Sequence, residues 1–561
     1  MKRQFEVIKR DGAARIGKLN VFEKIVATPY MLQTKEELEL IREQISENGQ
    51  LKVEVIDDIE EIPQEIEADV VILGGAVRFE KDPRGLSTAL TAIREATNAD
   101  SAVYTPALAT PENVSMLVYA GVDVIDFILA EVKATAGFFL YEEGEEKFQD
   151  VLLPQCTCNA CQQIGELKDH PFERRVEIAS QHNKNALQAE LYKISARISR
   201  GALRELVEGR CRASTTLTVL LRLLDENYDF FEKRAPIVRT STMLACTQES
   251  MNRAEIRRFS ERVITRLKQR YGILLLLPCS AKKPYSSSMS HKIILSSIWK
   301  FRRSINEAII SSPLGVIPRS LECVYPPSNY DVPVTGTWSC DETKTVSTRL
   351  REYLKANSFD VIVAHVSGPY KDVCNTAASL LETDVIYTTI NEDILSPASL
   401  NNLKEVMQGL IEEHRPPKRD LRFDYIRDTV DYQFGNGVSD YIFLDRPKIG
   451  GIYPTYHASC NGVRIATIVK PYGTATLTIP GATRYLKRFD GHYCVYIDDF
   501  VPKGTVFAVG VLSADPIIRP YDEVVVLNDE VISVGRALMS GWEMQSSIKG
   551  GAVVIRHVEK R

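Results

Sequence analysis

The stretch PCSAKKPYSSSMSH (Pro278–His291) gathers side chains that could carry out covalent chemistry. Cys279 precedes Lys283 and a helix that is predicted to begin near Ser290, and both an ammonium group and a helix N-terminus lower the pKa of a thiol. The resulting thiolate is a nucleophile, and His291 could act as general acid or base beside it. A reaction centre is therefore one interpretation of this stretch.

Two further residues of this stretch, Tyr285 and Ser288, could donate hydrogen bonds to a negative charge that develops during a reaction. The apolar run GILLLL precedes Pro278 and predicts a strand that is buried on both faces. Open α/β sheets bind ligands at the carboxyl ends of their strands, where Cys279 would lie. A polar loop with an inert thiol is the alternative, and the residues alone leave both interpretations open.

A second cluster, CTCNAC, places thiols at Cys156, Cys158 and Cys161. Structural zinc takes four ligands in a closed tetrahedral sphere, so one more is needed. We prefer His182, which lies early in a predicted helix and can point back at the cluster, over His170 in a DHP turn. Three incidental core cysteines are the alternative, but this spacing favours a metal. No open coordination position or nearby base is evident, so we predict a structural site.

The elements that must position these residues are those of an α/β protein with several domains. Strand-like and helical runs alternate between about 51 and 129, which predicts a parallel sheet or partial barrel, and a second α/β unit surrounds Cys279. Short strand-like runs follow from Asp424, and the end of the chain predicts a small β-barrel. The predicted domains span 1–235, 236–420, 421–487 and 488–561.

The 561 residues carry a net charge of -5, which argues against a generally basic surface, so any nucleic-acid contact must be local. Between Arg253 and Arg303 there are thirteen Lys or Arg residues and two acids. One face of a predicted helix carries four arginines at four-residue spacing: Arg258, Arg262, Arg266 and Arg270. Like charges at this spacing repel one another. Water could screen them, but we favour RNA phosphate.

The compartment follows from the first residues and from the cysteines. The start MKRQFEVIKRDG lacks the apolar core of a signal peptide, and no run approaches the roughly 18 apolar residues of a membrane span. Eleven cysteines, an odd number, do not fit a secreted disulfide framework. We expect a cytoplasmic protein with reduced thiols and no membrane contact.

The segment around the zinc cluster resembles the tRNA-guanine transglycosylase family in GVDVIDFIL, LPQCTCNAC and QHN. The resemblance implies a partial TIM-barrel-like domain with a structural zinc ion, whose ligands would be Cys156, Cys158, Cys161 and His182. It also places Asp126 where that family keeps its nucleophilic aspartate. Only 155 residues precede the cluster, too few for a full barrel, and the segments SGGFQ and GGLAVGE of the exchange site are missing. Asp126 is therefore either a nucleophile or a relic at a strand end.

Written as P-C-x3-K-P-Y-x2-S-x2-H, the stretch Pro278–His291 resembles the archaeosine synthase family at every specified position. The order of parts agrees: a shortened transglycosylase-like region, an α/β core, a small α+β domain, and an end that resembles a PUA RNA-binding module in DFVPKGTVFAVGV, IRPYDEVVV and KGGAVVIRH. Four basic residues there are candidates for RNA contact: Lys503, Arg519, Lys549 and Arg556.

The resemblance implies an enzyme that acts on archaeal tRNA. In that family, 7-cyano-7-deazaguanine is first installed at position 15, and the synthase attaches an amine donor to its nitrile. The implied donor is free lysine, and a radical SAM partner enzyme then cleaves the adduct; glutamine-dependent amidinotransfer is the alternative. Cys279 would form a thioimidate that the amine displaces, with His291 as proton shuttle and Lys283 beside the thiolate or a phosphate. Alternatively, the motif only binds the base.

A loop of the same unit, PRSLECVYPPSNYDVPVTGTW, carries Glu322 and Asp331. Either carboxylate could bind the α-amine of lysine, or both are ordinary turn acids.

Two competing functions are base exchange with Asp126 as nucleophile and a non-catalytic role in binding tRNA. We also expect a homodimer.

Overall fold

The computed structural model describes residues 4–21, 24–39, 51–151, 156–162, 166–334, 336–381 and 383–561. The N-terminal strands are β1 (Phe5–Asp11), β2 (Ala14–Val21), β3 (Lys24–Thr28), β4 (Tyr30–Met31), β5 (Val53–Ile56), β6 (Val70–Leu73), β7 (Ala102–Tyr104), β8 (Val124–Ile125), β9 (Phe138–Tyr141) and β10 (Gly144–Lys147). Strands β1 to β3 form an antiparallel sheet, and a parallel sheet has the order β4-β8-β7-β6-β5. Strand β6 reads VVIL and is buried throughout, as expected for a sheet that is covered on both faces.

Helices cover this sheet and continue to residue 232. They are α1 (Pro83–Ala96), α2 (Val114–Tyr119), α3 (Ile128–Thr135), α4 (Phe172–Arg200), α5 (Leu203–Cys211), α6 (Thr215–Glu226) and α7 (Tyr228–Glu232). Helix α4 ends at Gly201, whose φ of +65° is a left-handed conformation that glycine adopts without strain. This helix carries His182 towards the cysteine cluster.

The unit around Cys279 is a second α/β sheet. Its strands are β11 (Met243–Leu244), β12 (Ile273–Pro278), β13 (Asn306–Ser311), β14 (Gly315–Pro318), β15 (Tyr330–Asp331), β16 (Val361–Ala364) and β17 (Val385–Tyr387), and its helices are α8 (Ala254–Arg266), α9 (Met289–Ser297), α10 (Cys340–Ala356), α11 (Pro369–Ser379) and α12 (Pro397–His414). Five of these strands form the main sheet in the order β14-β13-β12-β16-β17, in which β14 is antiparallel, and β11 and β15 form a separate two-stranded parallel sheet.

Strand β12 lies at the centre of this sheet, and all six of its residues are buried. Leu274 and Leu276 pack into a core that includes α8 and α10, whereas Leu275 and Leu277 pack into a core that includes α9 and α12. Because both faces of the strand are covered by helices, its sequence is apolar throughout instead of alternating.

The C-terminal part contains two sheets. Its strands are β18 (Lys448–Ile452), β19 (Thr455–Cys460), β20 (Val463–Val469), β21 (Thr474–Leu477), β22 (Cys494–Ile497), β23 (Thr505–Phe507), β24 (Val511–Ala514), β25 (Glu523–Leu527), β26 (Val531–Ala537) and β27 (Gly551–Lys560), and its helices are α13 (Leu421–Phe434), α14 (Val438–Ile442), α15 (Ile479–Phe489) and α16 (Gly541–Ser546). Strands β18 to β21 form an antiparallel meander, and the second sheet has the order β23-β27-β26-β25-β22-β24.

The multidomain α/β architecture predicted from the sequence is confirmed, and the partial barrel takes the form of an open parallel sheet over the described residues. The domain limits stay a prediction, but one of them does not separate two cores. The ring of Phe434 lies 5.4 Å from that of Tyr485 and 5.3 Å from that of Tyr493, so a single apolar core joins 421–487 to 488–561. No described helix combines the length and apolar character that a membrane span requires.

The arginines predicted to face RNA on α8 face the protein interior instead. Arg258, only 5% exposed, donates hydrogen bonds to the carbonyl oxygens of Ala235 at 2.8 Å and Pro236 at 2.6 Å. Arg262 is 6% exposed, and its guanidinium lies 5.8 Å from the centre of the Tyr432 ring. The four-residue spacing identified a common face of the helix correctly, but spacing does not reveal what covers that face.

The other two arginines of the set connect this unit to the C-terminal part. Arg266 donates a hydrogen bond to the carbonyl oxygen of Gln433 at 2.7 Å. Arg270 lies beyond the end of α8 and pairs with Asp440 at 2.7 Å, with both side chains substantially exposed. The repulsion among these four charges is therefore offset by protein carbonyls, rings and carboxylates.

We expect Arg258→Met to lower the unfolding temperature, because it leaves two buried carbonyl groups without a donor at a cost of about 1–3 kcal/mol. Differential scanning calorimetry and a tRNA-binding titration measure the two relevant quantities. The matched control, Lys268→Met at an exposed residue after the same helix, should leave the unfolding temperature unchanged. Weaker tRNA binding by Arg258→Met with unchanged stability would contradict the interior role.

Candidate functional site

A cavity of about 400 Å³ opens at the carboxyl end of β12. Cys279 follows β12, Ser312 and Pro313 follow β13, and Tyr370 lies in the first turn of α11, after β16; all four line the cavity. Within the sheet, β13 lies next to β12 on one side and β16 lies next to β12 on the other. The chain thus reverses the direction in which it adds strands, and the cavity lies at this topological switch point. Cys279 thus follows a buried central strand, as the sequence predicts.

The thiol of Cys279 faces an aromatic wall. Its Sγ lies 3.1 Å from the hydroxyl oxygen of Tyr370, and burial raises the pKa of that hydroxyl. The ring of Trp338, which also lines the cavity, packs edge-on against Tyr370 with 4.8 Å between ring centres. The arrangement places a thiol, a phenol hydroxyl and flat aromatic surfaces in one cavity.

Lys283 also lines the cavity, where its ammonium group lies 4.1 Å from the centre of the Tyr330 ring. Burial lowers the pKa of Lys283, and the nearby Cys279 and Asp331 act in the opposite direction. The fully buried hydroxyl of Tyr285 lies 2.6 Å from that of Tyr330. The Tyr285 hydroxyl therefore contacts Tyr330 and does not line the cavity. The sequence had predicted that this hydroxyl would donate a hydrogen bond to the reacting group, and the geometry does not fit that prediction.

His291 does not line the Cys279 cavity, and its ring is held on both sides. Arg319 donates to Nδ1 at 2.9 Å, so Nε2 carries the proton and donates to the carbonyl oxygen of Pro278 at 3.0 Å. Burial and then the charge of Arg319 lower the pKa of His291 to about 3. The ring is neutral with both nitrogens engaged, so the predicted proton shuttle does not fit this geometry and His291 is a positioning residue.

Ser288 also has a structural place. Its hydroxyl accepts a hydrogen bond from the backbone N–H of His291 at 3.3 Å and caps the N-terminus of α9. This contact takes the place of the predicted contact with a developing negative charge. The capping explains why a serine three residues before His291 suits the start of this helix.

The two carboxylates proposed for the amine donor do not line the Cys279 cavity. Glu322 is buried and accepts hydrogen bonds from the backbone N–H of Ser286 at 2.8 Å and from Arg319 at 3.0 Å; it lines a second cavity. Asp331 is exposed at the end of β15 and influences Lys283 only by its charge.

Asp126 lies just after β8 and is 1% exposed. Its carboxylate accepts hydrogen bonds from the Tyr104 hydroxyl at 2.6 Å and from the backbone N–H groups of Ala107 at 3.0 Å and Ile128 at 2.8 Å. Burial raises its pKa. These contacts hold the turns after two strands, which favours the relic interpretation over a nucleophile.

The predicted metal ligands do converge. One atom from each of Cys156, Cys158, Cys161 and His182 lies within 4.8 Å of the others. Nδ1 of His182 lies 3.4 Å from Sγ of Cys161, and Nε2 lies 3.0 Å from the carbonyl oxygen of Leu140. A hydrogen bond on the far nitrogen orients a ligand histidine, so these residues fit a tetrahedral structural zinc ion. When bound, the metal would fix the segment before α4.

The basic residues of the C-terminal part differ in their availability to RNA. Lys503 is exposed. Arg519 pairs with Glu232 at 2.6 Å and joins the C-terminal sheet to α7, so it is not a free RNA contact. Lys549 is half-buried, and Arg556 donates to Glu523 at 2.7 Å. Lys503 and the half-buried Lys549 therefore keep the predicted role as a proposal.

Sequence reasoning missed Tyr370, Tyr330, Trp338 and Arg319. Tyr370 follows the apolar run VIVA of β16, and the rule that neighbouring parallel strands end at one edge of a sheet could have placed it beside Cys279. Tyr330 and Trp338 lie in the same loop as Glu322 and Asp331, and nothing in their spacing distinguishes them as cavity residues. Arg319 has no motif, because its role depends on tertiary contacts.

For the metal site, we expect one zinc ion per chain by plasma mass spectrometry. Cys158→Ser should lose the zinc and lower the unfolding temperature by several degrees, because the binding free energy of a structural metal contributes to folding. Cys246→Ser, at an exposed cysteine, is the matched control. Full zinc content in Cys158→Ser, or none in the parent chain, would show that the assignment is wrong.

For His291, the unfolded chain takes up a proton near pH 6.5, whereas the folded chain does so near pH 3, so the stability that this residue contributes is lost as the pH falls between these values. His291→Gln keeps an acceptor for Arg319 and a donor for Pro278. We expect urea unfolding of the parent chain to lose about 2 kcal/mol more than the variant between pH 6.5 and 5.

The exposed His557→Gln should retain the parent's pH profile. Parallel profiles for His291→Gln and the parent chain would mean that the ring is not held neutral.

Three known families match parts of this chain. Queuine tRNA-ribosyltransferase matches residues 46–216, a domain of unknown function matches residues 256–407, and the PUA domain matches residues 493–558. The first match contains the cluster of three cysteines and His182, and the second contains Cys279 and the strands β12, β13 and β16 that lead to its cavity.

Several relatives cover most of the chain. The archaeosine synthase subunit alpha of Methanosarcina acetivorans is 36% identical over 100% of this chain and 100% of its own, and the archaeosine synthase of Haloferax volcanii is 38% identical over 88% and 83%. The tRNA-guanine(15) transglycosylase of Methanothermobacter thermautotrophicus is 27% identical over 79% and 64%. A full-length match at this identity, with the three domain matches in order, shows that the chain belongs to the archaeosine synthase family.

Proposed function

We propose that this chain modifies tRNA in archaeosine biosynthesis by adding an amine donor to the nitrile of 7-cyano-7-deazaguanine at position 15. The observation that carries the proposal is the Cys279 thiol in an aromatic-walled cavity of about 400 Å³ at the switch point of the sheet. A cavity of this size suits a single base, and aromatic side chains stack on bases that leave their helix. The names of the relatives support the same reaction class.

In the first step, the sulfur of Cys279 forms a bond to the nitrile carbon, and one bonding pair of the C≡N group moves onto the nitrogen. That nitrogen takes up the proton lost by the thiol, which gives a neutral thioimidate. Tyr370, whose hydroxyl lies 3.1 Å from the sulfur, can relay this proton. Lys283 supplies positive charge beside the thiolate before the bond forms.

In the second step, an amine nitrogen of the donor attacks the thioimidate carbon. A C–N bond forms, the C–S bond breaks, and the proton lost by the amine returns through Tyr370 to the sulfur. The product is an amidine, and the thiol is regenerated without any other leaving group. Free lysine is the donor we propose, and glutamine-dependent amidinotransfer is the competing route.

The C-terminal part and the transglycosylase-like unit also suit a tRNA substrate. The PUA match and the exposed Lys503 suit RNA binding, and the metal cluster holds the transglycosylase-like unit in shape. One relative is named as a subunit alpha, so we propose that this chain also works with a partner, a radical SAM enzyme that cleaves the lysine adduct. Homodimer formation and a cytoplasmic location remain predictions.

The proposal is tested by incubating the protein with tRNA that contains 7-cyano-7-deazaguanine and with lysine, glutamine or ammonium, then weighing the nucleosides. We expect a lysine-sized mass gain that Cys279→Ala reduces by on the order of 10³-fold or more, because the covalent step is lost.

Cys340→Ala, at an exposed cysteine outside the cavity, is the matched control and should retain turnover. Normal turnover by Cys279→Ala would refute the nucleophile, and a gain of ammonia from glutamine would favour amidinotransfer. An unchanged mass with every donor would refute the enzyme itself.

A further inference from the structure

A second cavity, of about 410 Å³, lies between the Cys279 unit and the C-terminal part. Ser286 of the motif lines this cavity, whereas Cys279 and Lys283 line the first. Helix α13 contributes Asp424 and Asp428, which lie one turn apart on the same face. The motif therefore separates two cavities, and the reaction proposed above uses only one of them.

Arginine side chains from two segments contribute positive charge to the second cavity. Arg302 and Arg319 both line it, and both pair with Glu307, at 2.6 and 3.0 Å. Arg419, with 9% of its side chain exposed, lines the cavity from the segment before α13. All three nitrogens of Arg319 donate to protein groups, whereas Arg302 donates only to Glu307 through two of its nitrogens, so Arg302 keeps hydrogen-bond donors for an anionic ligand.

The negative charges of α13 are also incompletely paired. Arg427 pairs with one oxygen of Asp424 and one oxygen of Asp428, each at 3.0 Å. The other Asp424 oxygen lies 3.3 Å from Nε of Arg419 without hydrogen-bond geometry. Both of these atoms are buried and lack a hydrogen-bond partner among the described residues. A buried charged atom without a hydrogen bond is costly, so the charges of Asp424 and Arg419 are only partly compensated at this edge of the cavity.

Three tyrosines form a further wall of the cavity. The ring centre of Tyr425 lies 5.9 Å from that of Tyr453 and 5.7 Å from that of Tyr456, and the latter two are 6.3 Å apart. All three pairs are edge-to-face. Clustered aromatic rings attract ammonium groups, and carboxylates next to them strengthen that attraction. Tyr453 is 37% exposed, which leaves this wall open to solvent.

We propose that the second cavity is a binding site for a free amino acid, with its carboxylate on the arginines and an ammonium group between the tyrosines and the α13 aspartates. The aspartates would repel a ligand that carries only negative charge, and the arginines would repel a ligand that carries only positive charge. A ligand with both charges therefore matches the cavity best. The choice of L-lysine as ligand rests on the proposed function, in which lysine is the amine donor, whereas the position of the site is argued from the residues that line this cavity.

Arg319 would connect the bound ligand to the reaction centre by a series of hydrogen bonds. This side chain lines the second cavity and donates to His291, whose ring donates to the carbonyl oxygen of Pro278, directly before Cys279. The backbone of Ser286 is bonded to Glu322, which lines the same cavity. The site is thus adjacent to the motif without sharing the thiol.

Isothermal titration with L-lysine tests the site. We expect binding that becomes at least ten-fold weaker in Tyr456→Leu and in Asp428→Asn, which each remove a group that meets the ammonium. Tyr441→Leu, at a 42% exposed tyrosine outside the cavity, and Trp338→Leu, in the Cys279 cavity, should bind as the parent does. Thermal unfolding of each variant confirms that it is folded.

Ligand analogues test the two charges separately. 1,5-Diaminopentane lacks the carboxylate and hexanoic acid lacks the ammonium groups, and each should bind at least ten-fold more weakly than L-lysine. Equal binding of either analogue, loss of binding in Trp338→Leu with retention in Tyr456→Leu, or no heat at millimolar L-lysine would each overturn the proposal. Cys279→Ala should retain this binding while losing turnover, which separates the failure of the site from the failure of the reaction.

Discussion

The guanidinium group of Arg319 is the contact on which the geometry of the motif depends. It donates to the ring of His291 at 2.9 Å and to the carboxylates of Glu307 and Glu322, each at 3.0 Å. These partners come from α9, from β13 and from the turn after β14. Because all three are buried, removal of the arginine would leave several polar groups without partners inside the protein. The thiol of Cys279 is thus held on a strand end that a buried charge network positions.

The same use of charge recurs across the protein. The basic segment that suggested an RNA surface supplies much of its charge to internal contacts, through Arg258 and Arg262 on α8 and Arg302 beside Glu307. A guanidinium group suits this role because it offers five donors in a fixed plane and stays charged when buried. Net local charge in a sequence therefore overestimates the charge that remains for a polyanion.

The sequence predicted those parts of the site that depend on local pattern. The apolar run before Pro278 predicted the central strand, and the spacing of Cys156, Cys158 and Cys161 predicted a cluster that His182 completes. It did not predict that His291 faces Arg319, because the proton state of a histidine depends on burial and on partners distant in the chain. The contact between Tyr370 and Cys279 was also missed, because it joins residues 91 positions apart that only the order of the strands brings together.

The proposed mechanism requires a covalent bond between the sulfur of Cys279 and the nitrile carbon. The most direct measurement is the intact mass of the protein after incubation with tRNA containing 7-cyano-7-deazaguanine in the absence of any amine donor, followed by peptide mapping. We expect a protein–RNA adduct whose bond maps to the peptide that contains Cys279. Absence of that adduct in a preparation that turns over once lysine is added, or an adduct on another residue, would contradict the mechanism.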